Sequence, residues 1–361
     1  MADIIKTMKL HIHVDDADRK LLEQLTAQYA KACNFVSDYM FDNGFPLNYV
    51  TLSNCLYQTI RNNFFLKSQM TQSVFKTVTA RYKTVKKQFS EKPYRYKGAD
   101  KKWHSIARTL EWLQKPISFK RPQADLVRNR DYSFVCDKNT GESLLSLNTL
   151  GKRIRVSYDV PEIFLLFFDG TSQALACGEE QRDSWNFGTG KLVSLKGEWY
   201  FHIPMTKANS NELSLDQVKH MVGVDRGLRF LTTTYDEVGK TRFANGSKIM
   251  AKRDSFQKVR DQLQSKGTKS AKRVLKRISG RENRWMSDVN HQISKALVER
   301  YGEGTLFALE DLAGVSFAEE TLSKRNAKGR KDLRTWSFYQ FEQFLTYKAH
   351  AAGSEVMKFD A

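Results

Sequence analysis

The stretch that most limits what this chain can fold into is Met221–Phe230, which reads Met-Val-Gly-Val-Asp-Arg-Gly-Leu-Arg-Phe. An apolar lead into one carboxylate, with glycine two residues later, predicts a strand that ends in a turn. Side chains alternate faces along a strand, so Val222 and Val224 point one way and Asp225 the other. An acid in an apolar strand is costly unless a partner meets it. A divalent cation is such a partner, because carboxylate oxygens are the ligands Mg²⁺ prefers. Thr305–Gly314 repeats the pattern as Thr-Leu-Phe-Ala-Leu-Glu-Asp-Leu-Ala-Gly and delivers Glu310. Asp311 follows on the opposite face. A long helical segment separates the two strands.

Charge names the class of partner. The 361 residues carry 59 Lys and Arg against 40 Asp and Glu, a net charge of +19. Neutralising phosphates with Lys and Arg supplies most non-specific affinity for nucleic acid. A membrane partner is not expected, because the sequence shows no amphipathic anchor, signal peptide or long apolar span, and Ile163–Phe168 is far too short to cross a bilayer. The four cysteines, Cys33, Cys55, Cys136 and Cys177, contain no Cys-x-x-Cys pair. They therefore read as neither a disulfide framework nor a zinc site, and a reduced cytoplasmic protein is the expectation. His11 and His13 have the spacing of same-face residues on a strand, but no further nearby ligand in the sequence makes them a metal site.

Taken in order, residues 4–14 predict a strand, and Asp15, Asp16 and Asp18 a helix start. Helices are predicted over 21–40, ending near Asn43-Gly44, and over 52–63, 69–89 and 103–113. The 69–89 helix has Val74, Val78, Tyr82 and Val85 on one face, with Lys76, Arg81, Lys83, Lys86 and Lys87 elsewhere. Phe75, Tyr82 and Trp103 are aromatic enough to stack on bases, though core packing is the commoner use. From Pro116 the chain reads as short strands between turns, at 117–119, 132–134, 144–147, 153–158, 192–195 and 199–203. Many short strands predict a barrel. After a polar linker at 207–213, strands are predicted at 221–225, 229–235 and 240–243. A basic helical stretch over about 249–301, broken near 265–267, carries Lys269, Lys272, Arg273, Lys276 and Arg277. Thr321–Arg334 is a basic loop with Lys324, Arg325 and Arg330, and a helix over 336–351 and a strand over 355–360 close the chain. Such basic runs are often only solvated surface.

Val-Gly-Val-Asp-Arg-Gly resembles the first motif of a RuvC nuclease domain, and Ala-Leu-Glu-Asp-Leu resembles the second. Trp336–Phe341, Leu345–Ala349 and Gly353–Asp360 resemble the TnpB family, transposon-encoded RNA-guided relatives of compact type V CRISPR nucleases. These motifs cover roughly Val222 to the C-terminus; the N-terminal half resembles the family in layout only.

The resemblance implies an α+β multidomain chain. A wedge-type β-barrel (1–15 and 116–212) would hold an inserted helical recognition lobe (16–115). An RNase H-like (RuvC) α/β domain over 213–361 would follow, truncated at its C-terminus, with the basic insertion at about 249–301. It also implies a two-Mg²⁺ site held by Asp225 and Glu310, since two ions about 3.5–4 Å apart stabilise the attacking and leaving oxygens of phosphodiester hydrolysis. A guide RNA and double-stranded target DNA are the implied partners, bound by Lys76, Arg81, Lys83, Lys269, Lys272, Arg273, Lys276, Arg277, Lys324, Arg325 and Arg330, in a prokaryotic cytoplasm at the nucleoid. Family members continue into a zinc ribbon and a final helix with a third catalytic Asp. This sequence ends at Ala361, so a missing C-terminal fragment is the expectation. The alternatives are a nuclease-dead RNA-guided binder or repressor, an inert truncated transposon-encoded protein and, last, a cut-and-paste transposase.

Overall fold

The fold was obtained as a computed structural model. The structure describes residues 4–137, 140–161, 164, 185–207, 213, 215–227, 229–312 and 338–359. The chain divides into two compact units, one of residues 5–207 and the other of 208–361 together with the first four residues.

The first unit opens with β1 (Ile4–His13), then three helices: α1 (Asp16–Asp42), α2 (Tyr49–Phe64) and α3 (Ser68–Glu91). The Asp15 carboxylate caps α1 by accepting from the Asp18 amide at 2.7 Å, and the helix stops at Asn43 before Gly44, which adopts a positive φ of 70°. Leu22, Leu25, Tyr29 and Val36 of α1 are buried, as are Val74, Phe75, Val78 and Tyr82 of α3. Phe75 and Tyr82 are thus core residues. The Tyr82 hydroxyl lies 2.9 Å from Ser37 Oγ, which also donates to the Ile117 carbonyl. That side-chain bonding leaves 117–119 without the predicted strand.

Residues 103–113 are not the predicted helix. Trp103–Ile106 is a strand (β3), paired antiparallel with Tyr94–Lys97 (β2), and Leu110–Trp112 is a short 3₁₀ turn. The pairing rests on a tight turn in which the Gly98 amide donates to the Lys102 carbonyl and Lys101 has a positive φ of 61°. Seven more strands follow: β4 (Gln123–Leu126), β5 (Tyr132–Cys136), β6 (Ser143–Asn148), β7 (Arg153–Asp159), β8 (Trp185–Phe187), β9 (Gly190–Leu195) and β10 (Glu198–Lys207). They join β1 in one sheet of order β4-β9-β10-β1-β7-β6-β5, with β8 on β10. The predicted barrel is corrected here: among the described residues β4 and β5 do not pair, so the sheet is not closed. Residues 127–131 form a turn stitched by Asp131, whose carboxylate accepts from the Val127 amide at 3.0 Å and whose amide donates to the Val127 carbonyl at 2.7 Å.

The second unit holds β11 (His220–Asp225), β12 (Phe230–Asp236), β13 (Thr241–Asn245), the helices α4 (Ser247–Lys266), α5 (Lys269–Ile278) and α6 (Arg281–Tyr301), then β14 (Thr305–Glu310), α7 (Phe338–Ala351) and β15 (Glu355–Phe359). Its sheet order is β13-β12-β11-β14-β15. β12 runs antiparallel to β11, whereas β14 runs parallel to both β11 and β15. Val222, Val224, Phe307 and Leu309 pack against Leu297 and Val298 of α6 and Phe341, Leu345 and Ala349 of α7. This one-sided core leaves the odd positions of β11 on the other face, where Met221 is 55% exposed. No helix among the described residues is long and apolar enough to cross a membrane.

Candidate metal centre and nucleic-acid interface

Parallel pairing of β11 with β14 runs from His220↔Thr305 to Val224↔Leu309. The next step brings Asp225 and Glu310 side by side at the C-terminal ends of neighbouring strands, about 5 Å apart laterally. Both alternate away from the helix-covered face. Asp225 is exposed and Glu310 half-buried. Carboxylates on neighbouring strand ends can share one cation, which would offset their like charge. An all-oxygen donor set from adjacent strands suits Mg²⁺.

One residue further on, the alternation reverses. Arg226 follows the parity of Val222 and Val224 and turns inward, leaving its side chain 1% exposed. Its Nη1 lies 3.1 Å from Glu342 Oε2 on α7 and donates to the Phe338 carbonyl at 3.5 Å, while Nη2 donates to the Glu310 carbonyl. Arg226 Nε has no hydrogen-bond partner among the described residues. Lys358 Nζ of β15 reaches the other Glu342 oxygen at 3.3 Å and Asp311 Oδ2 at 3.8 Å. Asp311 therefore lies on the face opposite Glu310, as alternation requires, and is paired there. One guanidinium thus ties the ends of β11, β14 and α7 together beneath the two acids. The sequence reading treated Arg226 only as part of a turn; its parity with the buried valines was the signal that marked it as an inward cation.

Behind the sheet, His291 stacks on Phe344 with ring centroids 3.7 Å apart, and Lys348 Nζ donates to the His291 carbonyl at 2.6 Å and to Ser294 Oγ at 2.7 Å. Burial and then the neighbouring Lys295 charge pull the Lys348 ammonium down to about 8. A free lysine titrates near 10.4. Holding the charge therefore costs the folded state below pH 8, and that cost fades as pH rises from about 8 to about 10.4. A thermal-melt series should show wild-type stability rising across that window relative to Lys348→Met. Parallel pH curves for the two proteins would contradict this.

The basic residues fall into two groups. Lys76, Arg81 and Lys83 are all exposed on α3. Lys76 and Lys83, seven apart, share a stripe, while Arg81 sits roughly 140° from Lys76. Lys76 also covers the Tyr49 ring at 5.4 Å. On α5, Lys269, Lys272, Arg273, Lys276 and Arg277 are all exposed and occupy one arc of roughly 140°, opposite Ala271, Val274, Leu275 and Ile278. Lys324, Arg325 and Arg330 lie outside the described residues. The sequence reading missed the β2–β3 hairpin as a surface. Tyr94 stacks on Tyr96 with centroids 6.2 Å apart and meets Trp112 at 5.6 Å, and Tyr96 stacks on His104 at 5.5 Å. Trp103 is 65% exposed. Rings beside Arg95 and Lys97 suit base stacking next to phosphate contacts. The alternation Tyr-Arg-Tyr-Lys was the available signal.

Comparison with known proteins bears on these surfaces. A family model described as a probable transposase, OrfB_IS605, matches residues 202–313. A TnpB-like protein of Methanocaldococcus jannaschii is 26% identical over 185 residues, covering 49% of this chain and 63% of the relative. A TnpB-like protein of Acanthamoeba polyphaga mimivirus is 30% identical over 156 residues, covering 40% of this chain and 29% of the relative. The matched regions thus span less than two thirds of these relatives. Among solved structures, a Cas12f1 chain in a complex with sgRNA and target DNA has a similar fold, with a TM-score of 0.59 and 9% identity over 95% of this chain and 72% of that one.

Proposed function

We propose that this chain, which is similar to a probable-transposase family model and to TnpB-like proteins over part of its length, is a TnpB-type RNA-guided DNA-binding protein whose 208–361 unit is a RuvC-like nuclease core. The observation that carries this reading is the parallel register that delivers Asp225 and Glu310 together. A central first strand, an antiparallel second strand and parallel fourth and fifth strands support an RNase H-like reading of this unit. Asp225 and Glu310 would hold Mg²⁺, which supplies charge stabilisation for phosphodiester hydrolysis. Arg226 keeps the two strand ends aligned through the Glu310 carbonyl. The basic arc of α5 and the stripe on α3 offer cations to phosphates, and the β2–β3 rings offer faces to bases. The Cas12f1 complex, with its sgRNA and target DNA, supports guide RNA and target DNA as the partners.

A nuclease-dead binder is the second reading, and one observation favours it. Two-ion chemistry requires further carboxylates, yet the neighbouring acids Asp311 and Glu342 are paired with Lys358 and Arg226.

Binding is tested by titrating salt against the affinity for the RNA that accompanies the protein. Log affinity should fall linearly with log salt, and replacing the five α5 cations with Gln should reduce the slope by about 0.7 to 0.9 for each phosphate left unneutralised. A slope unchanged by those substitutions would remove α5 from the interface, and a flat response in the wild type would remove the nucleic-acid reading. DNA cut in Mg²⁺ favours the first reading, and DNA held uncut favours the second.

A further inference from the structure

The outer face of β1 carries a cluster that the acid pair does not involve. Leu10 and Ile12 of β1 are buried, so His11 and His13 share the opposite, solvent-facing side. β7 and β10 flank β1 in the sheet. Asp159 of β7 is the register partner of His11, and Glu198 opens β10. His13 Nε2 lies 2.9 Å from Asp159 Oδ2, His11 Nδ1 lies 3.2 Å from the same oxygen, and His11 Nε2 lies 3.2 Å from Glu198 Oε2. One ligand atom from each of His11, His13 and Asp159 falls within 4.8 Å of the others.

A neutral imidazole has one N–H. If His11 gives it to Glu198, the Nδ1 lone pair faces the Asp159 carboxylate, an arrangement relieved by a cation, which is either a proton on Nδ1 or a metal ion. We propose that the cation is a zinc ion held by His11, His13 and Asp159, with Glu198 fixing the His11 tautomer as the carboxylate behind a metal-bound histidine. Ligand atoms around a tetrahedral Zn²⁺ sit about 3.3 Å apart; the two N···O separations are close to this, whereas the three ligand atoms span up to 4.8 Å, so the two exposed-side imidazoles would draw together around the ion. Two imidazoles with one carboxylate suit zinc better than Mg²⁺, which favours oxygen ligands. His13 and Asp159 are exposed, so the ion and a fourth, water ligand have access from solvent. Bound there, zinc would tie β1 to β7. Sequence spacing could not reveal this site, because its acids lie more than a hundred residues beyond His13.

The test uses the full chain stripped with chelator and carrying Asp225→Ala, so that the acid pair does not compete, titrated calorimetrically with Zn²⁺ in excess Mg²⁺. One Zn²⁺ per chain is expected, with Co²⁺ substitution giving the visible absorption of a tetrahedral site. His13→Gln, at an exposed position, should abolish that absorption, and Glu198→Gln should weaken zinc binding about 10- to 100-fold. Absence of zinc binding, or binding unchanged in both His13→Gln and Asp159→Asn, would reduce the cluster to a set of surface ion pairs and overturn the proposal.

Discussion

Asp225→Ala is expected to leave RNA affinity unchanged, to weaken divalent-ion binding at the acid pair by more than about 100-fold, and to abolish any Mg²⁺-dependent cleavage. Removing a partner that only orients a metal ligand already costs about 10- to 100-fold in affinity. Removing a ligand should cost more. Asp225 is exposed and takes no part in the apolar core of the sheet, so the fold should survive its loss. Stability gives a second readout that does not depend on cleavage. Without a cation, Asp225 and Glu310 repel each other from neighbouring strand ends, so Asp225→Asn should melt no lower than the wild type in chelator. Saturating Mg²⁺ should then raise the wild-type melting temperature and leave the variant unmoved. Equal Mg²⁺ stabilisation of both proteins would place the ion elsewhere, and an RNA affinity that fell with the ion affinity would make Asp225 a nucleic-acid contact.

Arg226→Ala should destabilise the 208–361 unit by about 3 to 5 kcal/mol, the usual cost of removing one partner from a buried ion pair. The substitution leaves Glu342 with Lys358 alone and leaves the Glu310 and Phe338 carbonyls without their guanidinium donor. Arg226→Lys should recover only part of the loss, because one ammonium cannot reproduce the planar fork that reaches two carbonyls and a carboxylate. The double variant Arg226→Met, Glu342→Leu should be more stable than Arg226→Ala, since replacing both members of a buried pair with apolar groups is often neutral or better, but below wild type because the Glu310 and Phe338 carbonyls still lack their donor. Denaturant unfolding of the single and double variants decides this. If the single variant lost less than about 1 kcal/mol, the guanidinium would not be the tie between the strand ends.

These two neighbours show how much could be read in the sequence. Asp225 and Glu310 were legible because each ends an apolar run and alternation is a local property. Their parallel adjacency was legible only by resemblance, since eighty-odd residues separate them. Arg226 was missed because the glycine beside it drew attention to a turn, although its parity with Val222 and Val224 already pointed it into the core. The β2–β3 hairpin was missed because Trp103–Leu113 has enough apolar residues at helical spacing to pass for a helix, whereas its strand partner lies across the Gly98 turn. The barrel failed for a different reason. Strand content was readable from local alternation, but closure depends on which strands pair across long separations, and β4 and β5 end the strand order unpaired with each other. The cation arc of α5 emerged once the helix was placed, because spacing alone puts all five residues on one side.

The central claim is that this chain works with a particular RNA, and the most direct measurement is to purify it from its native host and sequence the RNA that stays bound. A discrete RNA mapping beside the gene or to a transposon end, retained at moderate salt, is the predicted result. A heterogeneous RNA population that washes off at moderate salt would contradict guided binding and leave only a basic surface.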